Sequence, residues 1–186
     1  MSTVSAAAAR RRSRSKVTDE APDHEQLLAA VEAAATVADH SSMRPWRLIE
    51  LRGDDRLVIG RSLAAASGAE GRDAEKLEQK SLRAPLVLAV VSSPSPSRKV
   101  PEWEQESVAS GVAHLLSLVL DDLGWGVMWR TVVFTRAAEV QAAHGLTGDE
   151  KLLGWLYVGG RDPRRDDDKP RKRVDASRHL SALPRD

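Results

Sequence analysis

The sequence ADHSSMRPWRL at residues 38–48 joins a predicted helix to a predicted strand and is the most informative part of the chain. Apolar residues precede it at helical spacing, and residues 48–51 after it are typical of a strand. Pro45 disfavours helix at Arg44. The histidine, serines, arginines and tryptophan in this stretch supply hydrogen-bond donors, positive charge and a stacking surface. The sequence therefore predicts a ligand-facing connection between a helix and a strand.

Composition limits the class of protein. A chain of 186 residues is long enough to bury one core of its own. It has 28 basic and 27 acidic residues, so its charge gives no general argument for nucleic-acid binding. The absence of cysteine excludes disulfides and thiolate catalysis, and agrees with a cytoplasmic location. No apolar run approaches the length of a membrane span. We therefore expect one cytoplasmic domain that binds neither membrane nor nucleic acid.

A cationic segment lies at residues 10–16, where five of seven residues are Arg or Lys and the other two are Ser. One interpretation is a solvated arm, or one that binds nucleic acid loosely. The other is a phosphate site, because guanidinium groups present a rigid fork of donors to phosphate oxygens and a serine hydroxyl adds a short hydrogen bond. Composition alone favours neither interpretation.

The remaining chain alternates helix and strand patterns. Asp23, with Gln26 three residues later, predicts a capped helix that runs to about Val37. The continuous apolar run at residues 86–91 predicts a central strand buried on both faces. Further helices are predicted at residues 57–66, 74–82, about 102–123 and 136–145, and further strands at 124–131 and 151–158.

Five segments, in order along the chain, resemble the flavin-dependent nitroreductase family, most closely its small, single-domain YdjA-like branch. They are RRS at 11–13, DHSSMRPWR at 39–47, KVPEWEQ at 99–105, WRT at 129–131 and GWLYVG at 154–159. Their joint spacing is more specific than any one short motif. The resemblance implies an α+β fold, a mixed sheet flanked by helices, built as an obligate-type homodimer.

The resemblance also implies FMN bound between the two subunits. One chain would supply Arg11, Arg12 and Ser13 together with Trp129, Arg130 and Thr131, and the other chain would supply Thr36 and His40. A lone loop histidine is more often a surface group, so the assignment of His40 depends on its motif. No catalytic side chain is assigned, and the histidines lack the paired spacing of a metal site.

Two positions depart from the family pattern. Thr36 stands where similar proteins place an arginine that reaches the partner's flavin, and threonine offers a hydrogen bond but no charge. Val132 stands where similar proteins usually have glycine, and a β-branched residue does not readily adopt positive φ. Both departures predict weaker flavin binding or a different loop.

Three functional classes follow. The first is an FMN-dependent NAD(P)H oxidoreductase, in which NADH or NADPH reduces the flavin at N5 and a small acceptor, such as a nitroaromatic or a quinone, is then reduced in ping-pong turnover. The second is a non-enzymatic flavin-binding or storage protein on the same scaffold, which Thr36 and Val132 favour. The third is a nucleic-acid-binding module that uses the basic arm, against which the near-neutral charge argues.

The domain prediction has three parts. Residues 1–9 are expected to be a disordered leader, and residues 10–186 a single FMN-binding domain. The charged tail at residues 161–186 contains DASRHL at 175–180, which resembles the closing segment of the family. That resemblance implies a tail packed on the partner subunit.

Overall fold

A computed structural model describes residues 3–165 and 174–183 of the chain. The helices are α1 (Thr3–Arg10), α2 (His24–Ala34), α3 (Leu57–Ser67), α4 (Gly71–Ser81), α5 (Glu102–Asp122) and α6 (Ala138–Ala143). The strands are β1 (Trp46–Arg52), β2 (Leu86–Ser92), β3 (Trp125–Arg130) and β4 (Lys151–Gly160). The predicted helices and strands are therefore present, with ends that differ from the predictions by a few residues.

Strand β2 is the centre of the sheet, as its apolar run predicted. All seven of its residues are buried. Side chains alternate between the faces of a strand, so one set packs against α2 and α5 and the other against α3 and α6. A strand buried in this way needs apolar residues at every position, which explains why its sequence shows no alternation of apolar and polar residues.

The sheet order is β1-β2-β4-β3, and each neighbouring pair is antiparallel. The segment before α2 lies beside β3 and forms one parallel bridge with it, between Ser13 and Val127. The pairing of β2 with β4 shifts between Val90 and Val91, opposite Gly154. Strands β1 and β3 are therefore the edges, and the segment that contains Ser13 lies along β3.

Helices cover both faces of the sheet. One core, between the sheet and α2 with α5, contains Leu27, Leu88, Val112, Leu116 and Leu156. The other core, between the sheet and α3 with α6, contains Ile59, Leu63, Val87, Trp155 and Tyr157. Helix α4 packs on α3. The chain thus forms three layers, with helices on the two outer sides of one sheet.

Helix α1 differs from the prediction of a disordered leader at residues 1–9. Residues 3–10 are helical, and Ala7 is buried where α1 meets α5. Arg10, in the last turn, lies 3.0 Å from a carboxylate oxygen of Asp122. Alanine has the highest helix propensity, and contact with α5 stabilises a helix that would be marginal alone. Residues 1 and 2 of the predicted leader lie outside the described residues.

The predicted tail lies partly outside the description, because residues 166–173 and 184–186 are not part of it. Within residues 174–183, Ala176–Arg178 form a short 3₁₀ helix, and the Asp175 carboxylate at its start accepts a hydrogen bond from the Ser177 amide. Val174, Leu180 and Leu183 are exposed. These three apolar side chains are therefore not covered by other residues in the described part of the chain. No helix in the described part of the chain is long and apolar enough to cross a lipid bilayer.

A buried histidine links α6 to the sheet. The Trp155 indole nitrogen donates a hydrogen bond to His144 Nε2 over 3.0 Å. The ring proton of neutral His144 must therefore lie on Nδ1, which donates to the Val140 carbonyl over 2.8 Å. Burial lowers the pKa of His144 from its ordinary value of about 6.5, although the bond to Val140 opposes the shift. The structure therefore holds His144 in the neutral form.

The first prediction concerns the pH dependence of stability. The unfolded chain binds a proton at His144 below about pH 6.5, whereas the folded chain resists that proton, so stability should fall as the pH decreases through this window. The variant His144→Gln should be less stable by about 1–3 kcal/mol near neutral pH, and its deficit should shrink below about pH 6.5. Urea unfolding at several pH values measures this. His179→Gln, at an exposed site, is the control, and parallel curves for wild type and His144→Gln would contradict the prediction.

Candidate functional site

The RRS segment lies along the outer edge of β3. Ser13 forms a parallel bridge with Val127, and the Arg14 amide donates to the Val127 carbonyl over 2.9 Å. Arg11 and Arg12 are half-buried, and neither makes an ion pair with another residue in the described part of the chain. Guanidinium groups without an internal partner can bind an external anion. This edge therefore offers two cations and one hydroxyl.

The WRT segment lies at the end of the same strand. The Trp129 indole nitrogen donates to the Leu153 carbonyl over 3.3 Å, and its ring meets His114 with centroids 4.8 Å apart. Ser13 pairs with Val127, which is three residues before Arg130, so the RRS and WRT segments are about 10 Å apart along the strand. The structure thus places six of the eight predicted site residues along one edge.

Arg130 faces the opposite side of the sheet from Trp129. Its guanidinium carbon lies 5.5 Å from the centre of the Tyr157 ring. Arg14 and Arg83 line the same small recess. Burial raises the pKa of the Tyr157 hydroxyl, and the charges of Arg130 and Arg83 oppose that rise. Sequence reasoning did not group Arg14, Arg83 and Tyr157 with Arg130, because only the fold brings these residues together.

A cleft of about 370 Å³ lies beside Trp129 and Thr131. Its other walls come from α5, from the turn after β3 and from the start of β4, including Glu106, Arg136 and Leu153. Val133, in that turn, is 95 % exposed. The cleft therefore combines apolar side chains with hydroxyl groups and an ion pair, which suits part of a planar organic ligand.

Val132 does not strain the turn after β3. Its φ is −140°, which is extended backbone, so the positive φ considered from the sequence does not occur. The Thr135 hydroxyl donates to the Val132 carbonyl and accepts from the Val132 amide, over 2.6 and 2.8 Å. The loop is therefore formed without glycine at this position, which removes the backbone argument against the site.

Thr36 and His40 lie elsewhere, at the end of α2 and in the loop that follows. The Thr36 hydroxyl donates to the Ala33 carbonyl over 2.8 Å. Its proton is therefore already used within the chain, and only its lone pairs are left for a ligand. His40 Nδ1 lies 2.9 Å from Glu104 Oε1, at the start of α5. The His40 ring is half-exposed, and its Nε2 makes no hydrogen bond to any described residue.

One chain does not bring all eight predicted residues together. His40 contacts Glu104, whereas Trp129 contacts His114, ten residues later on α5. Ten helical residues correspond to about 15 Å along the axis, and the two positions point in different directions. The predicted site residues therefore form two groups on different sides of α5. Within one chain, Thr36 and His40 are therefore separate from the six residues along the β3 edge.

Three glutamates in the first turns of α5 hold three different segments. Glu102 pairs with Lys151 of β4, Glu104 with His40, and Glu106 with Arg136 in the turn after β3. Trp103, among them, is 71 % exposed. Acidic residues near a helix N-terminus also interact favourably with the helix dipole. The sequence showed a family resemblance at residues 99–105 but left the roles of these glutamates open, because pairing across distant segments leaves no local pattern.

Arg47 has a structural role, although the sequence placed it in a ligand-facing stretch. Its guanidinium donates two hydrogen bonds to the Glu150 carboxylate, over 2.6 and 2.8 Å. The Ser93 hydroxyl and the Thr147 amide donate to the same carboxylate. The bond to Arg47 lowers the pKa of Glu150 to about 2, with burial opposing it and the other two donors adding to it. Arg47 therefore joins β1 to the ends of the neighbouring strands.

Known proteins share the sequence pattern of this chain. The model of the nitroreductase family matches residues 8–160. The chain belongs to the nitroreductase family. It is 33% identical over 152 residues to the "Putative NAD(P)H nitroreductase YdjA" of Escherichia coli (strain K12), covering 80% of this chain and 83% of that relative. The family predicted from the sequence is confirmed, and membership makes the chain a nitroreductase-type oxidoreductase.

Solved structures confirm the fold. The nitroreductase-like family protein from Bacillus cereus superposes with a TM-score of 0.83 at 19% identity, covering 98% of this chain and 97% of that chain. The FMN and NADPH-dependent nitroreductase NfnB from Sphigopyxis sp. strain HMH superposes with a TM-score of 0.71 at 20% identity, covering 98% and 99%. The predicted α+β architecture, with helices flanking the sheet, is therefore confirmed.

The second prediction tests how the site edge is built. Gly154 has a φ of +124°, and a Cβ there would lie 2.6 Å from the Arg130 carbonyl and 2.7 Å from Trp129 Nε1. Gly154→Ala should therefore lower the free energy of unfolding by at least about 2 kcal/mol. Gly148→Ala is the matched control, because Gly148 has a φ of +56° but open space around it, and should cost only about 1 kcal/mol. Equal losses in urea unfolding would show that crowding at Trp129 is unimportant.

Proposed function

We propose that this protein is an FMN-dependent NAD(P)H oxidoreductase whose flavin site is shared between the two subunits of a homodimer. The observation that carries the proposal is the edge of β3, where Arg11 and Arg12 have no ion-pair partner among the described residues and stand beside Ser13 and the cleft at Trp129. The names of a relative and of a structural neighbour, an NAD(P)H nitroreductase and an FMN and NADPH-dependent nitroreductase, support it.

The residues at this edge fit the phosphate end of FMN. A phosphomonoester carries about two negative charges, which two guanidinium groups can neutralise with paired hydrogen bonds. Ser13 is exposed and adds a hydroxyl donor. The extended backbone at Val132 leaves the neighbouring turn unstrained. Arg11, Arg12 and Ser13 would thus hold the phosphate, while Trp129, Arg130 and Thr131 would bound the rest of the cofactor.

The second subunit would supply Thr36 and His40. Helix α5 separates these two residues from the β3 edge within one chain, so dimerisation is what would complete the site. The outer face of α5 carries Trp103, Ser107 and His114, all exposed. Exposed aromatic residues are enriched at interfaces between proteins, so this face suits contact with a second subunit. The apolar residues of the tail, Val174 and Leu180, would pack on the partner.

FMN, when bound, supplies hydride transfer at N5 between NADH or NADPH and an acceptor such as a nitroaromatic or a quinone. The side chains need only bind, orient and shield the reactants, so no side chain is assigned as catalytic. His40 would offer its Nε2 to the flavin. The exposed apolar residues Val133 and Phe134 would cover the cleft and limit the access of water.

A non-enzymatic flavin-binding protein is the second candidate, and one contact favours it. The Thr36 hydroxyl donates to its own helix, so this position supplies neither the charge nor the donor expected from similar proteins. Val132, the other departure, no longer supports this candidate, because its backbone is extended. Bound flavin that neither nicotinamide reduces would favour the second candidate, or a different electron donor.

The third prediction tests the proposed activity. Purified protein mixed with FMN and freed of unbound flavin should keep the visible flavin bands, and anaerobic NADH or NADPH should bleach them. Arg12→Ala should weaken FMN binding by about 10- to 100-fold, because it removes one charge-assisted pair with the phosphate. Arg72→Ala, at an exposed site on α4, is the control and should leave binding unchanged. A wild-type protein without flavin bands would refute the proposal.

The fourth prediction tests whether the site is shared. Arg12→Ala and His40→Ala each damage both sites of a homodimer. In a hybrid dimer of the two variants, one site carries both defects and the other carries none. We therefore expect about half of the wild-type flavin content in purified hybrids.

The control for this experiment is a hybrid of Arg12→Ala with Arg130→Ala. Both residues belong to the same half of the proposed site, so each site of this hybrid keeps one defect and should stay weak. Differently tagged subunits, co-expressed and purified through both tags, give the hybrids. Equal flavin content in the two hybrids would contradict a site shared between subunits.

A further inference from the structure

Glu104 meets His40 across two segments that are distant in sequence. Glu104 Oε1 lies 2.9 Å from His40 Nδ1, and their side chains are 30 % and 49 % exposed. A carboxylate only accepts hydrogen bonds, so the proton of this bond lies on Nδ1 of the imidazole. His40 Nε2 has no hydrogen-bond partner within residues 3–165 and 174–183. The pair thus fixes one ring nitrogen and leaves the other for a ligand.

The backbone around His40 is strained, and a hydrogen bond within the loop stabilises it. Ser41, Ser42 and Arg44 have φ values of 64°, 52° and 50°, which non-glycine residues seldom adopt. The Arg44 amide donates to the Asp39 carboxylate over 2.6 Å, which closes the loop around His40. Clustered strain of this kind persists only where surrounding contacts enforce it. Asp39 therefore holds the loop backbone, and Glu104 holds the ring.

We propose that Glu104 is a positioning residue for the flavin. It fixes the ring of His40 and keeps the proton on Nδ1, so that Nε2 is presented to FMN bound by the other subunit. The inference rests on the proposed function, because it requires that His40 contacts the flavin. It assigns a role to a residue of the KVPEWEQ segment, which the sequence alone left open.

Comparison of Glu104 with Glu102 distinguishes a positioning role from a purely structural one. Glu102 lies in the same helical turn as Glu104 and pairs with Lys151 of β4. Neither Glu102 nor Lys151 is a predicted flavin contact. Both glutamates lie in the first turn of α5, where a carboxylate interacts favourably with the helix dipole. A purely structural role would therefore give Glu104 and Glu102 the same effect on flavin binding. A positioning role gives an effect to Glu104 alone.

The experiment measures FMN dissociation constants of the full-length protein by quenching of flavin fluorescence. Glu104→Ala should weaken FMN binding by about tenfold, and His40→Ala by at least as much. The double variant should bind no more weakly than His40→Ala, because Glu104 acts through that ring. Glu104→Gln should stay within about threefold of wild type, since its amide oxygen still accepts the Nδ1 proton. Glu102→Ala, the matched control, should also stay within about threefold.

Thermal unfolding shows which variants are folded. If Glu104→Ala is not folded at the assay temperature, Glu104→Asp decides, because it keeps the charge at the helix start but withdraws the carboxylate from His40. Equal affinities for Glu104→Ala and Glu102→Ala would overturn the inference, as would losses that multiply in the double variant. If the wild type itself does not bind FMN, the proposed function is rejected, and with it this role of Glu104.

Discussion

The burial of β2 on both faces is the constraint on which the rest of the structure depends. A strand that is apolar at every position must be covered twice, so helices α2 and α5 lie on one side and α3 and α6 on the other. Both faces of the sheet are then occupied by core. A ligand as large as a flavin can therefore reach the sheet only at an edge, and β3 is the edge that carries the cationic RRS segment.

Helix α5 connects the core to the loops around the proposed flavin site. Its buried face packs on the sheet, while its first turns place Glu102, Glu104 and Glu106 against Lys151, His40 and Arg136 from three other segments. Exposed ion pairs contribute little to stability one at a time, typically below about 1 kcal/mol. Their contribution here is geometric, because each one ties a different segment of the chain to the same helix. The loops around the proposed flavin site are thus aligned to one another through α5.

Local patterns in the sequence predicted the parts of the fold that depend on local physics. The capping box of Asp23 and Gln26 forms as predicted, and the apolar run of β2 is the centre of the sheet. Contacts between distant segments had no such pattern. The sequence therefore assigned Arg47 to a ligand-facing stretch, whereas a bidentate bond to Glu150 makes it structural. The candidate site was predicted by resemblance, but how its residues divide between two sides of α5 required the fold.

A cofactor site shared between subunits, as proposed here, would link cofactor binding to assembly. FMN that binds the dimer and not the monomer would stabilise the dimer by RT ln(1 + [FMN]/Kd) per site, about 2.7 kcal/mol at a hundredfold excess over Kd. The same relation means that a weak contact such as Thr36 would lower flavin affinity and dimer stability together. The exposed apolar residues of the tail, Val174 and Leu180, would then matter for the chemistry, because burying them on the partner would favour the assembly that completes the site. Residues far from the flavin would in this way set how much of it is bound.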